Sequence, residues 1–177
     1  MPSHAAGDSP LATPVGGMPA RLATAQEMAA AGAWLDRWFA ASRPRPPFSF
    51  TYDGVGSHRL LADWELERAV EDLPGRRVQR LCWRDPAGGL EVRCEVVSFA
   101  DYPAVDWLVS FSNAGTADTA VLDQVHALDA ELPADGGSDP VVHHARGSSA
   151  AYRDFEPLAT SIPAGGSLAL RSHGRGG

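Results

Sequence analysis

The fold of this chain is decided by residues 78–97, which read VQRLCWRDPAGGLEVRCEVV. Apolar and polar side chains alternate over residues 78–84 and again over 90–97. An alternation of period two is typical of a strand with one face in water. Residues 86–89 (PAGG) separate the two runs and have the composition of a four-residue turn. The segment therefore predicts an antiparallel β-hairpin.

The side chains of this hairpin also predict its register. One register sets opposite charges against each other on one face and apolar groups against each other on the other face. Its pairs are Arg84–Glu91, Arg80–Glu95, Trp83–Val92 and Leu81–Cys94. This register places Cys82 and Cys94 on opposite faces, which predicts two free thiols with Cys94 buried. A slip by one residue loses all of these pairs and sets Cys82 opposite Cys94, where a disulfide becomes possible.

Outward from the hairpin, the chain predicts a mainly β architecture with one N-terminal helix. Thr24 and Glu27 form the T-x-x-E pattern of a capping box, and apolar residues recur at helical spacing as far as Phe39. Further strands are predicted at 48–52, 60–68, 105–112, 121–128, 141–145, 156–162 and 168–171. The predicted fold class is an antiparallel β-sandwich. Its predicted parts are a disordered tail (1–20), a helix with a Pro-rich linker (21–47) and the sandwich domain (48–177).

Composition excludes several function classes. A formal net charge of -7 argues against nucleic-acid binding, which needs clustered positive charge. No run of eighteen apolar residues is present, so we expect no membrane span. The first twenty residues lack a basic start and an apolar stretch, and two cysteines cannot form a disulfide framework. We therefore expect a cytoplasmic protein.

Short segments spread along the chain resemble one family when they are taken in order. They are PFSFTYDG (47–54), GLEVRC (89–94), DYPAVDW (101–107), NAGT (113–116), ALD (127–129), HHARGS (143–148) and DFEPL (154–158). The set resembles the N-terminal β-sandwich, or supersandwich, of bacterial α-galactosidases (melibiases), related to glycoside hydrolase family 36. The resemblance covers residues 24–177.

In that family a (β/α)8 barrel follows the sandwich and carries the two carboxylates that cleave terminal α-galactosides. A barrel needs about 250 residues, and the present 177 leave none for it. The resemblance thus implies no catalytic residue here, and whether the chain belongs to an enzyme stays open. It implies a non-catalytic domain, without cofactor, that packs on the barrel or a sister subunit and shapes the rim of the sugar pocket.

The resemblance also implies a candidate site at the domain edge that faces the barrel or closes the sugar pocket. Its candidate residues are His143, His144, Arg146, Ser148 and Asp154. Adjacent residues of a strand point to opposite faces, so we expect no metal at the histidine pair, even with His126 or Asp154 as a third ligand. A triad of Ser148 or Ser149 with His126 and Asp123 lacks the G-x-S-x-G turn of a hydrolase.

A free-standing carbohydrate-binding module is the alternative, because indole faces stack on sugar rings. The sequence has five tryptophans. They are Trp34 and Trp38 on the predicted helix and Trp64, Trp83 and Trp107 on apolar strand faces. These positions predict packing residues. The many acidic side chains, for example Glu65, Glu67 and Asp106, fall on predicted wet faces of strands.

Overall fold

The structure is a computed structural model, and it describes residues 23–40, 42, 44–132, 139–145, 147 and 154–170. The chain divides into two units between Asp129 and Ala130. In chain order the elements of the first unit are α1 (Ala25–Leu35) with a π-helical turn (Asp36–Ala40), β1 (Ser49–Tyr52), β2 (Val55–Gly56), α2 (Ser57–Asp63), β3 (Glu65–Leu73), β4 (Arg76–Arg84), β5 (Leu90–Phe99), β6 (Val105–Asn113) and β7 (Leu122–His126). The second unit contains β8 (Val141–Ala145) and β9 (Pro157–Ser161).

The first unit is an antiparallel sandwich of two sheets, which confirms the predicted fold class. One sheet has the strand order β2-β1-β7, and the other has the sequential order β3-β4-β5-β6. Aromatic side chains join the sheets: Phe48 packs edge-on against Trp83, and Phe50 packs edge-on against Phe111, with ring centroids 6.2 and 5.2 Å apart. Trp83 is fully buried at the centre of this core.

The β4–β5 hairpin has the predicted register. Arg84 pairs with Glu91 and Arg80 with Glu95 on one face. The N–H of Asp85 donates to the carbonyl of Leu90 at 2.9 Å, which closes the turn. The two cysteines are free and Cys94 is buried, as predicted. Charge pairing and apolar pairing therefore favour the same register, and a slip would lose both.

Helix α1 begins with the predicted capping box. The Thr24 hydroxyl accepts the backbone N–H of Glu27, and the Glu27 carboxylate accepts the backbone N–H of Thr24. At the other end, the carbonyl of Phe39 lies in the π-helical turn. Arg68 and Gln79 donate to that carbonyl at 2.8 and 3.1 Å. Because a cation at a helix C-terminus is favourable, this contact fastens the helix to β3 and β4.

The prediction of a strand over residues 60–68 is partly wrong, because residues 57–63 form α2 and β3 begins at Glu65. Ser57 and Leu61 are buried one helical turn apart, and Trp64, which ends the helix, is 7% exposed. The adjacent Leu60 and Leu61 both carry apolar side chains, and a strand would have pointed them to opposite faces. In the short helix α2, both side chains pack against the core.

In the second unit, β8 and β9 pair as an antiparallel hairpin, near the predicted strands at 141–145 and 156–162. The predicted strand at 168–171 is not observed over Leu168–Leu170, and Arg171 lies outside the described residues. Within the part of the chain that the structure describes, no helix is long and apolar enough to cross a membrane.

Candidate functional site

The outer face of the four-stranded sheet carries a dense array of charges, here named the Arg–Glu face. It consists of Glu67 and Glu71 on β3, Arg80, Cys82 and Arg84 on β4, and Glu91, Arg93 and Glu95 on β5. A cavity of about 560 Å³ opens on part of this face, and its lining includes Arg80, Arg84 and Arg93 together with Leu108 and Ser110 of β6. Strand alternation explains the array, because every second residue of each strand points away from the sandwich core.

Glu91 is the centre of the Arg–Glu face. Its side chain is only 6% exposed and lies between two guanidinium groups, those of Arg84 and Arg93. Burial raises the pKa of this carboxyl, but the hydrogen bond from Cys82 and the charges of Arg93 and Arg84 outweigh it and hold the pKa below its usual value. Glu91 is therefore a fixed anion. A general base needs a pKa near neutral pH, so Glu91 does not fit that role.

A second set of ion pairs surrounds Arg80. Its Nε lies 2.9 Å from Glu95 and its Nη1 lies 3.0 Å from Glu71, so one arginine bridges β3 and β5. Arg84 bridges the same strands, with Nη2 at 2.8 Å from Glu67. Each of these side chains is about half exposed, and such pairs contribute little individually. Together they tie three strands across one face.

The thiol of Cys82 lies among these charges. Partial burial raises its pKa, and the hydrogen bond to Glu91 raises it further, while Arg84 and Arg93 act in the opposite direction. A reactive cysteine needs a lowered pKa, so the surroundings of Cys82 keep the thiol protonated and slow to react. The Arg–Glu face thus offers a stable charged surface and no activated nucleophile.

The structure places the candidate residues of the domain edge on the β8–β9 hairpin and beside it. His143 is exposed opposite Ala159, and His144 is half-buried with its Nε2 at 3.1 Å from the hydroxyl of Thr160. The two histidines point to opposite faces, as strand geometry requires. Asp154 lies just before β9 and is half-buried. Arg146 and Ser148 lie outside the described residues, as does Ser149. No group of three or more metal-ligating side chains forms in the described ranges.

His126 has a partner that the sequence did not suggest. Its Nδ1 lies 3.2 Å from the hydroxyl of Ser49, opposite it on β1. The register of β1 with β7 shifts between the pair Ser49–His126 and the pair Thr51–Asp123. At this shift Gln124 adopts a φ of +47°, which is uncommon for a residue with a side chain. This bulge lies in an edge strand, and sequence alone gave no signal for it because β1 and β7 are distant along the chain.

Next to the bulge, three apolar side chains point into solvent and are here named the β7 rim. They are Val121, Val125 and Leu128, with exposed fractions of 74%, 51% and 60%. β7 lies at the edge of its sheet, so the rim is accessible along one side of the sandwich. Single exposed apolar residues are ordinary, but three within eight residues, on and beside an edge strand, are a candidate for contact with another protein.

Three of the five tryptophans form a cluster that remains partly exposed. Trp34 stacks on Trp107 with centroids 5.4 Å apart, and Trp34 lies 6.2 Å from Trp38. The guanidinium of Arg37 lies over Trp38 at 5.1 Å. Trp64 and Trp83, in contrast, are buried. The prediction of packing roles therefore fits Trp64 and Trp83 most closely, and the cluster of α1 and β6 retains accessible indole surface.

Comparisons with protein-family models, with curated protein sequences and with solved structures found no match for this chain.

Proposed function

We propose that this chain is a non-catalytic β-sandwich domain of an α-galactosidase-like glycoside hydrolase, acting in the cytoplasm. Its role is to pack on a (β/α)8 barrel, carried by the same polypeptide or by another subunit, and to shape the rim of the sugar pocket. The ordered motifs between residues 47 and 158 motivate the proposal. The β7 rim is the observation that carries it, because a domain built to dock on another must leave apolar surface exposed.

The chemistry of the Arg–Glu face is consistent with a non-catalytic role. A retaining glycosidase needs two carboxyl groups about 5–5.5 Å apart, one of them with a raised pKa. Glu91 instead has a lowered pKa. The other carboxylates of this face, Glu67, Glu71 and Glu95, are each held by an arginine.

The test is co-expression with the barrel of a bacterial α-galactosidase whose own sandwich has been deleted. The wild-type chain is expected to co-purify with that barrel and to restore hydrolysis of a nitrophenyl α-galactoside. A β7 rim variant, V121S/V125S/L128S, is expected to lose co-purification. The matched control, V70S/Y102S, changes exposed apolar residues elsewhere and is expected to behave as wild type. Failure of the wild-type chain to bind the barrel would overturn the proposal.

A carbohydrate-binding module is the second candidate, favoured by the cluster of Trp34, Trp38 and Trp107. The side chains of these three residues are only partly buried, so the cluster leaves indole surface on which a sugar ring could stack. Titration with melibiose, followed by tryptophan fluorescence, distinguishes the two functions. Saturable binding that Trp38→Ala abolishes and Tyr102→Ala leaves unchanged would support the module. Absence of binding by the wild-type chain would exclude this sugar as its ligand.

A further inference from the structure

The four-stranded sheet has two edges, and their protection against pairing differs. β3 and β6 are both nine residues long, and among the described residues each pairs with a neighbour on one side only. An edge strand presents unpaired N–H and C=O groups, and natural sheets block such edges with charged residues. β3 (ELERAVEDL) carries five charged residues, whereas β6 (VDWLVSFSN) carries only Asp106. The β6 edge therefore lacks the charged residues that would oppose addition of another strand.

The sequence of β6 is compatible with pairing to itself. In an antiparallel register centred on Val109, apolar residues on the inner face meet apolar residues, and the single acid meets a hydroxyl. The pairs are Val109 with Val109, Trp107 with Phe111, Leu108 with Ser110, and Asp106 with Ser112. No like charges meet, and the pairs of aromatic and β-branched side chains are of the kind that stabilises sheets.

Leu108 gives the strongest reason for this register. Its side chain is 71% exposed on the outer face, where the surrounding side chains are charged or hydroxylated. In the register centred on Val109, the Leu108 side chains of two copies become diagonal neighbours across the two-fold axis. Diagonal neighbours are within reach of each other when the side chains are long. A second copy would thus cover the one large apolar side chain that the Arg–Glu face leaves in water.

The corresponding register of β3, centred on its middle residue, is unfavourable. An antiparallel pairing centred on Ala69 would set Glu67 of one copy directly against Glu71 of the other, twice. Like charges directly opposite each other destabilise a sheet. Charge therefore disfavours this register of β3, whereas the register of β6 centred on Val109 brings no like charges together. A two-fold pairing of β6 with β6 uses the same edge of both copies and gives a closed dimer instead of an open filament.

We propose that two copies of this chain associate through antiparallel pairing of β6 with β6, which joins their four-stranded sheets into one continuous eight-stranded sheet. The occupant of the β6 edge is a second copy of the same chain. This inference does not depend on the proposed function, because the β7 rim belongs to the other sheet of the sandwich.

The test is a charge exchange at Leu108, measured on the full chain by sedimentation velocity over a series of concentrations. The wild-type chain is expected to form a dimer. Leu108→Lys and Leu108→Glu are each expected to raise the dimer dissociation constant by about tenfold or more, because like charges meet at the axis. An equimolar mixture of the two variants is expected to recover the dimer, since Lys and Glu are then diagonal neighbours across the axis.

Val70→Lys is the matched control, because Val70 is an exposed apolar residue on the opposite edge strand, β3. It is expected to leave the dimer unchanged. Circular dichroism of each variant verifies that the sandwich is folded. A wild-type chain that is monomeric at all concentrations, or a dimer that Leu108→Lys does not weaken, overturns the proposal. Loss of barrel binding by the β7 rim variant with an intact dimer would show that the two surfaces are separate.

Discussion

The Nε of Arg84 lies 3.2 Å from the Oε2 of Glu91, directly across the β4–β5 hairpin. Arg84 is the last residue of β4, and Glu91 is the second residue of β5, so this pair stands at the turn. Glu91 is also 5% exposed. Because the carboxylate of this pair is buried and lies next to the turn, we expect the pair to fix the register of the hairpin more strongly than the pairs farther along the strands, in which both partners are about half exposed.

Glu91→Gln is expected to destabilise the sandwich by about 1–2 kcal/mol, because it removes the anion that Arg84 and Arg93 enclose. Glu95→Gln is the control. It breaks the pair with Arg80, whose side chains are both about half exposed, and is expected to cost less than about 1 kcal/mol. Urea unfolding of both variants measures the difference. Equal losses would mean that the burial of Glu91 does not matter.

Acid is expected to weaken the sandwich in part through Glu91. Its folded pKa is lowered, so the folded state binds fewer protons than the unfolded state as pH falls. The stability that Glu91 contributes is therefore complete above about pH 4.5, its ordinary pKa, and is lost as pH falls through the lower folded pKa. Urea midpoints measured against pH should decline less steeply in Glu91→Gln than in wild type.

Asp72→Asn provides the comparison for this pH series. A hydrogen bond and the charge of Arg77 lower the pKa of Asp72, whose ordinary value is 3.8. In this variant the urea midpoint is expected to depend less steeply on pH only below about pH 3.8. Identical curves for the two variants would contradict the assignment of the higher window to Glu91.

The two thiols are expected to react at different rates with an alkylating reagent. Burial raises the pKa of Cys94 to about 12, so Cys94 should be unreactive until the protein unfolds. Cys82 is partly accessible but has a raised pKa, and Glu91 contributes to that rise. Alkylation of Cys82 should therefore be slow in wild type and faster in Glu91→Gln. Mass spectrometry after native labelling identifies the modified residue, with Cys82→Ser as the control.

Gly89→Ala is expected to be more destabilising than Gly75→Ala, although both glycines have a φ near +75°. A Cβ at Gly75 would meet open space, so that variant carries only the backbone cost of about 1 kcal/mol. A Cβ at Gly89 would lie 2.8 Å from the Cα of Gly115, so the two loops would have to separate. We expect a total cost of about 2–3 kcal/mol for Gly89→Ala in thermal or urea unfolding. A similar loss in both variants would disprove the close approach.

The parts of this fold that sequence predicts are those decided by neighbours along the chain. The register of β4 with β5 was predictable because both strands and their turn lie within 24 residues, from Arg76 to Phe99, and carry complementary charges. The capping box of α1 was predictable because Thr24 and Glu27 are three residues apart. The candidate site depends on similar rules only in part: alternation placed Arg80, Arg84 and Glu91 on one face.

What sequence did not predict depends on distant partners. The alternation through Leu60, Ala62 and Trp64 suggested a strand, but packing of Leu61 into the core requires a helical turn there. Packing against the rest of the protein outweighs a short pattern when both readings use the same apolar residues. The contact of His126 with Ser49 likewise spans 77 residues and leaves no local trace.

The sequential order of β3 to β6 has a consequence for the time at which each sheet can form during synthesis. Every strand of that meander pairs with the strand made just before it, so its contacts are local and its closure is fast. β1 is made earlier but receives its long-range partner, β7, only after the whole meander has left the ribosome. The growing chain therefore completes the charged four-stranded sheet first. Phe48 and Phe50 are therefore expected to become fully buried only when β7 pairs with β1 and completes the smaller sheet.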